Sequence, residues 1–128
     1  LREGKDIAVV ATGFMSHKAM DLAERLTANG LDIAVIDMLS LTDVNRQAFA
    51  SATAPYRHVV TLEEGFLGKG GLDALVRDIK DDVNATFDMS SFGFKDEYLF
   101  KYGSREFLYG QHGFSQSDLE AAIRELPA

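Results

Sequence analysis

Residues 58–79 read His58-Val59-Val60-Thr61-Leu62, then Glu63-Glu64-Gly65-Phe66-Leu67-Gly68-Lys69-Gly70-Gly71, then Leu72-Asp73-Ala74-Leu75-Val76-Arg77-Asp78-Ile79. The first five residues form a short, β-branched apolar run of the kind that makes a buried strand. The glycine-rich middle breaks both strand and helix periodicity and reads as a loop. The last segment places Leu72, Leu75, Val76 and Ile79 at i, i+3, i+4 and i+7, one face of a helix. Strand, short glycine loop and helix, in that order, are one unit of a parallel sheet.

The same unit recurs upstream. Asp6 to Thr12 is a strand broken by Gly13. Ser16 can cap the following helix, whose face is Ala19, Leu22, Ala23 and Leu26, and Asn29-Gly30 supplies a left-handed stop. Asp32 to Asp37 is a second strand. A polar helix is predicted over 43–53 with Val44, Ala48 and Ala52 inward, and Pro55 lies just past its end. Downstream, residues 84–93 form a fourth strand, with Thr86, Asp88 and Ser90 alternating against Ala85, Phe87, Met89 and Ser91. Ser115-Gln116-Ser117-Asp118 has the form of a capping box, and Leu119, Ala122, Ile123 and Leu126 continue it as a helix. Short loops and right-handed crossovers then give a sheet covered on both faces.

Composition narrows the function. A chain of 128 residues is one ordinary domain. Thirteen Lys and Arg against 20 Asp and Glu leave a net charge of −7, which disfavours nucleic acid and anionic membranes. No cysteine is present, so disulfides, thiolate metal sites and a cysteine nucleophile are excluded, in keeping with a cytoplasmic setting. No apolar run approaches the roughly 20 residues of a membrane helix. The first residues lack both a starting Met and a signal peptide, so the chain is expected to belong to a longer polypeptide.

Each candidate site admits two readings. Gly65 to Gly71 either cradles a phosphate on a helix N-terminus or makes a tight turn that needs small residues. Glu63 and Glu64, adjacent on a strand, point to opposite sides. One can satisfy the glycine-loop amides while the other is solvated or faces a partner. Ser16, His17 and Lys18 lie at a helix start beyond the carboxyl end of the first strand, where open parallel sheets bind ligands. They form either a small-anion site or an ordinary cap. His17, His58 and His112 show no metal spacing, and no nucleophile elbow is present. Nine of the thirteen aromatic residues fall between Phe87 and Phe114; Tyr98, Tyr102, Arg105 and Tyr109 are candidates for a partner surface or cover the sheet edge of the same chain.

Three segments together resemble the transketolase C-terminal domain family. LREGKDIAVVATGFMSHKA (1–19) resembles the family's opening strand, glycine turn and first helix. VVTLEEGFLGKGGLDAL (59–75) resembles its paired glutamates and double-glycine helix start. FGFKDEYLFKYGS and YGQHGFSQSDLEAAI, within 92–123, resemble its exit strand, Gly-Ser turn and closing helix. The chain departs from the pattern at Gly65, where relatives often carry His or Asn, and at Leu72-Asp73-Ala74, where they often carry Leu-Gly-Ser.

The resemblance implies a three-layer α/β/α domain, residues 1–128, with a mostly parallel, mixed sheet of about five strands. The strand preceding Gly4 would run antiparallel and be clipped to Leu1–Glu3. It also implies a non-catalytic assembly domain of an enzyme that moves two-carbon ketol units between sugar phosphates. In that enzyme thiamine diphosphate and a divalent metal sit between the pyrimidine-binding and diphosphate-binding domains, and the parent is a homodimer. Glu63, Glu64, Tyr98, Tyr102, Arg105 and Tyr109 would then face neighbouring domains. Similar domains close deoxyxylulose-phosphate synthases and 2-oxoacid dehydrogenase beta subunits. The competing reading is a free-standing small-anion-binding module of flavodoxin-like shape.

Overall fold

The computed structural model describes residues 2–66, 70–94 and 115–126. Four parallel strands, β1 (Ile7–Ala11), β2 (Ile33–Asp37), β3 (His58–Phe66) and β4 (Asp88–Phe94), lie in the order β2-β1-β3-β4. Four helices are described: α1 (Phe14–Ala28), α2 (Arg46–Thr53), α3 (Leu72–Asp82) and α4 (Gln116–Arg124).

Alternation along each strand divides the core. Ile7, Val9, Val60 and Leu62 pack with Met15, Leu22 and Leu26 of α1 and Leu119 and Ile123 of α4. Ala8, Val10 and Val59 pack with Phe49 of α2 and Leu72, Val76 and Ile79 of α3. The result is the expected α/β/α sandwich. Each fully buried aliphatic side chain contributes about 1.5–3 kcal/mol against leaving it in water.

The termini of the helices follow their sequences. At the end of α1, Leu31 N–H bonds Leu26 O (3.0 Å) and Gly30 N–H bonds Thr27 O (3.0 Å), with Gly30 at φ 91°. This paired closure needs a left-handed residue, which Gly30 supplies. α4 opens with the full capping box between Ser115 and Asp118.

Four expectations change. The sheet has four strands rather than about five. The antiparallel element is clipped, as expected, here to one bridge between Arg2 and Val35, whose N–H groups each donate to the other's carbonyl (3.2 and 2.9 Å). β3 does not stop at Leu62 but runs to Phe66; between the pairs Leu62–Phe92 and Phe66–Phe94 it holds more residues than β4, so it bulges. α2 starts at Arg46, capped by the Asn45 side chain accepting from Ala48 N–H (3.0 Å). It buries Phe49 and Thr53, while Ala48 and Ala52 stay exposed. Ser16 is not the cap of α1: the cap position is Gly13, and Ser16 lies inside the first turn. The β4 strand begins at Asp88, within the predicted stretch.

Candidate functional site

In a parallel sheet the place for a ligand is the carboxyl end of the strands, where neighbouring connections leave to opposite faces. Here β1 leads to α1 on one face and β3 leads to α3 on the other. Glu63, Glu64, Ser16, His17 and Lys18 all lie along this edge.

Glu63 governs the α3 side. Gly71, the cap residue of α3, brings no side chain to the exposed amides of the first turn. The Glu63 carboxylate takes their place, accepting from Leu72 N–H (2.8 Å) and Asp73 N–H (3.3 Å). A Cβ on Gly71 would sit 2.5 Å from Glu63 Oε2, so the glycine is what admits the carboxylate. The glycine turn therefore meets an anion supplied by its own chain, and a phosphate has no room on these amides. Glu64 is half-buried.

Burial pushes the Glu63 carboxyl above the usual 4.5. The Leu72 and Asp73 amides pull it back, and the neighbouring Asp73 carboxylate pushes it up further. Both acids are only 3% exposed.

The α1 side separates the three residues read as an anion cradle. Successive helix residues are rotated by about 100°. Ser16 Oγ donates to Asp37 Oδ1 (2.7 Å) and Ser16 N–H to Gly13 O (3.1 Å). His17 is exposed and Lys18 is buried. The Ser16–Asp37 bond ties α1 to the end of β2; no local sequence pattern announces it, because it spans two βα units.

A second cluster at the other end of the sheet escaped the sequence. His58 and Asp88 are register partners, and His58 Nε2 lies 2.9 Å from Ser90 Oγ. His58 Nδ1 is buried without a hydrogen-bond partner, so the acid arm of a nucleophilic triad is missing. Burial pushes the imidazole below its usual 6.5, against the opposing pull of Asp88. The unfolded chain therefore binds a proton near 6.5 that the folded chain resists. Stability is expected to be full above that pH and to fall as pH drops below it, with a slope of at most about 1.4 kcal/mol per pH unit for one proton. Urea unfolding between pH 7.5 and 5.5 checks this; the slope should flatten in His58→Gln, and an identical slope would reject His58 as its source.

Among the described residues, no group of three or more His, Asp or Glu could hold a metal ion, and no helix is long and apolar enough to cross a membrane. Tyr98, Tyr102, Arg105, Tyr109 and His112 lie outside the described residues.

The chain is thus a parallel α/β/α domain whose double-glycine helix start is capped by its own glutamate. The family model for the transketolase C-terminal domain matches residues 1–117, and the chain belongs to that family. It is 32% identical over 125 residues to a 1-deoxy-D-xylulose-5-phosphate synthase of Chlorobaculum tepidum, covering 98% of this chain and 19% of the relative. The enzyme of the same name from Parasynechococcus marenigrum is 35% identical over 99 residues, 77% of this chain and 15% of the relative. Among solved structures, a split-gene transketolase described as an inactive beta4 tetramer superposes with a TM-score of 0.83 at 30% identity, over 97% of this chain and 40% of that one. Transketolase from Campylobacter jejuni shares the fold, with a TM-score of 0.64 at 18% identity, covering 98% of this chain and 17% of that one. The chain spans about a fifth of the length of these curated relatives.

Proposed function

We propose that this chain is the C-terminal assembly domain of a thiamine-diphosphate enzyme that transfers two-carbon ketol units between sugar phosphates, and that it is inactive alone. The observation that carries the reading is the Glu63 carboxylate on the first amides of α3. It occupies the helix terminus that a diphosphate would need, and the net charge of −7 adds repulsion. Among the described residues, the start of α3 leaves no place for the cofactor's diphosphate, which the pyrimidine-binding and diphosphate-binding domains of a cytoplasmic, homodimeric parent would hold. A second reading, the same role in a 1-deoxy-D-xylulose-5-phosphate synthase, is favoured by the names of the curated relatives. The free-standing anion-binding module using Ser16, His17 and Lys18 has less support, since the Ser16 amide and hydroxyl are already engaged.

Titration calorimetry of this domain with thiamine diphosphate and magnesium is expected to give only heats of dilution. A saturable isotherm at micromolar cofactor would defeat the proposal. In the complete parent, assays for ketol exchange between sugar phosphates and for formation of 1-deoxy-D-xylulose 5-phosphate separate the two enzyme readings.

A further inference from the structure

The exposed large hydrophobic residues among those described gather at one end of the sheet. Leu39 is 92% exposed, Phe14 46% and Leu41 39%. Phe14 opens α1 after β1, and Leu39 and Leu41 follow β2. The two connections are held together by Met38 N–H donating to Ala11 O (2.9 Å) and by the Ser16–Asp37 bond. Beside them an apolar groove of about 360 Å³ is lined by Met38, Leu39, Val44, Ala48, Phe49 and Ala52. Val44, Ala48 and Ala52 carry the spacing that predicts an inward face for α2, yet Val44 precedes the helix and Ala48 and Ala52 face solvent here. The apolar pattern on α2 therefore exceeds what this chain covers.

A second cavity, of about 580 Å³, borders Arg2, Gly4 and Val35 and shares Ile36 and Ala52 with the first. Together they make one trough along the outer side of β2. Its direction matters. The Arg2–Val35 bridge is antiparallel, so the chain traced backwards from Arg2 runs toward the carboxyl end of β2. A segment preceding Arg2 and keeping this direction would run toward the strand end that leads to Leu39. The family is a C-terminal domain by name, and the chain is 19% of the length of a relative that matches it throughout.

From these observations we infer that the trough between β2 and α2, with Leu39 in its lining, is the docking surface for the domain that precedes this one in the parent polypeptide. The inference rests on the reading of the chain as part of a multidomain enzyme, and it supplies the face through which that assembly forms. The buried apolar side chains would be the anchors and the acidic residues Asp37 and Asp43 the rim.

The chain has no native cysteine, so single thiols placed in it report local cover. The test uses the complete parent enzyme carrying either Leu39→Cys or Asp81→Cys, the latter an exposed position at the far end of α3. Both are labelled with a maleimide, and the labelled peptides are identified by mass spectrometry. Leu39→Cys is expected to react at least tenfold more slowly than Asp81→Cys in the native parent and at the same rate in urea. Leu41→Cys gives the same readout where the first variant is poorly produced. Equal native rates would overturn the assignment. Shielding that disappears on dilution would also overturn it, by naming a second copy as the cover. The underlying reading is judged separately, on turnover: an active parent with a reactive Leu39→Cys loses the surface and keeps the enzyme. A shielded thiol in a parent with no thiamine-diphosphate-dependent turnover does the reverse.

Discussion

Replacing Glu63 by alanine is expected to destabilise the domain by about 3 kcal/mol, measured by urea or thermal unfolding. Two losses combine. Leu72 and Asp73 N–H become buried donors without an acceptor, at about 1–3 kcal/mol each. These are the first amides of α3, whose cap residue Gly71 brings no side chain to them. The space left behind is closed off, since Glu63 is 3% exposed. Relief of the Asp73 repulsion and of the cost of burying a charge offsets part of this.

Glu63→Gln separates the terms, keeping the shape and one accepting oxygen. The sign with pH also distinguishes the two. Because the folded carboxyl titrates above 4.5, the folded state holds the proton more tightly than the unfolded one. The resulting stability is complete below about 4.5 and is lost as pH rises through the folded value. Glu63→Gln should lack this slope. A Glu63→Ala change below about 1 kcal/mol would mean that water caps α3 as well as the carboxylate does.

Gly4→Ala is expected to cost about 2–4 kcal/mol, through backbone contact alone. A Cβ at position 4 would lie inside the van der Waals radii of Ala34 N and the Ile33 carbonyl carbon, and 2.8 Å from Ile33 O. These are backbone atoms of β2, fixed by pairing with β1 along its whole length, so the incoming segment must move instead. It would forfeit the Tyr56 Oη bond to Gly4 O (2.7 Å), the Lys5 and Asp6 amide bonds to Asp32 O, and the Arg2–Val35 bridge. Hydrogen exchange should show the Val35 amide losing protection while amides of β1 keep theirs. A variant with wild-type Tm and a protected Val35 would show that β2 yields after all.

The order of elements was readable because each strand is a compact apolar run and each helix carries its own stop or cap. Gly30 and the Ser115–Asp118 box act within a few residues, and local spacing captures them. The role of Glu63 was also within reach: two adjacent acids before a glycine-rich helix start leave one of them beside bare amides.

What escaped depends on competition at a distance. On α2, Ala48 and Ala52 form one line, and Phe49 and Thr53 the neighbouring one, about 100° away. The helix turns the second line inward because one phenyl ring buries far more area than two methyl groups. Ser16 looked like a cap because it is a serine near a glycine; the turn at Gly13 closes earlier and leaves its hydroxyl to Asp37. The His58–Ser90 contact needed the β3–β4 register, which a bulge partway along β3 shifts.

The glutamate that stoppers α3 bears on how new activities could arise on this scaffold. A loop, a double glycine and an uncapped helix are the raw material of a nucleotide pocket, and here one internal side chain stands where a visiting phosphate would. A change at that single position would vacate the receptor without redrawing the backbone around it. The domain keeps the outline of a binding protein in reserve.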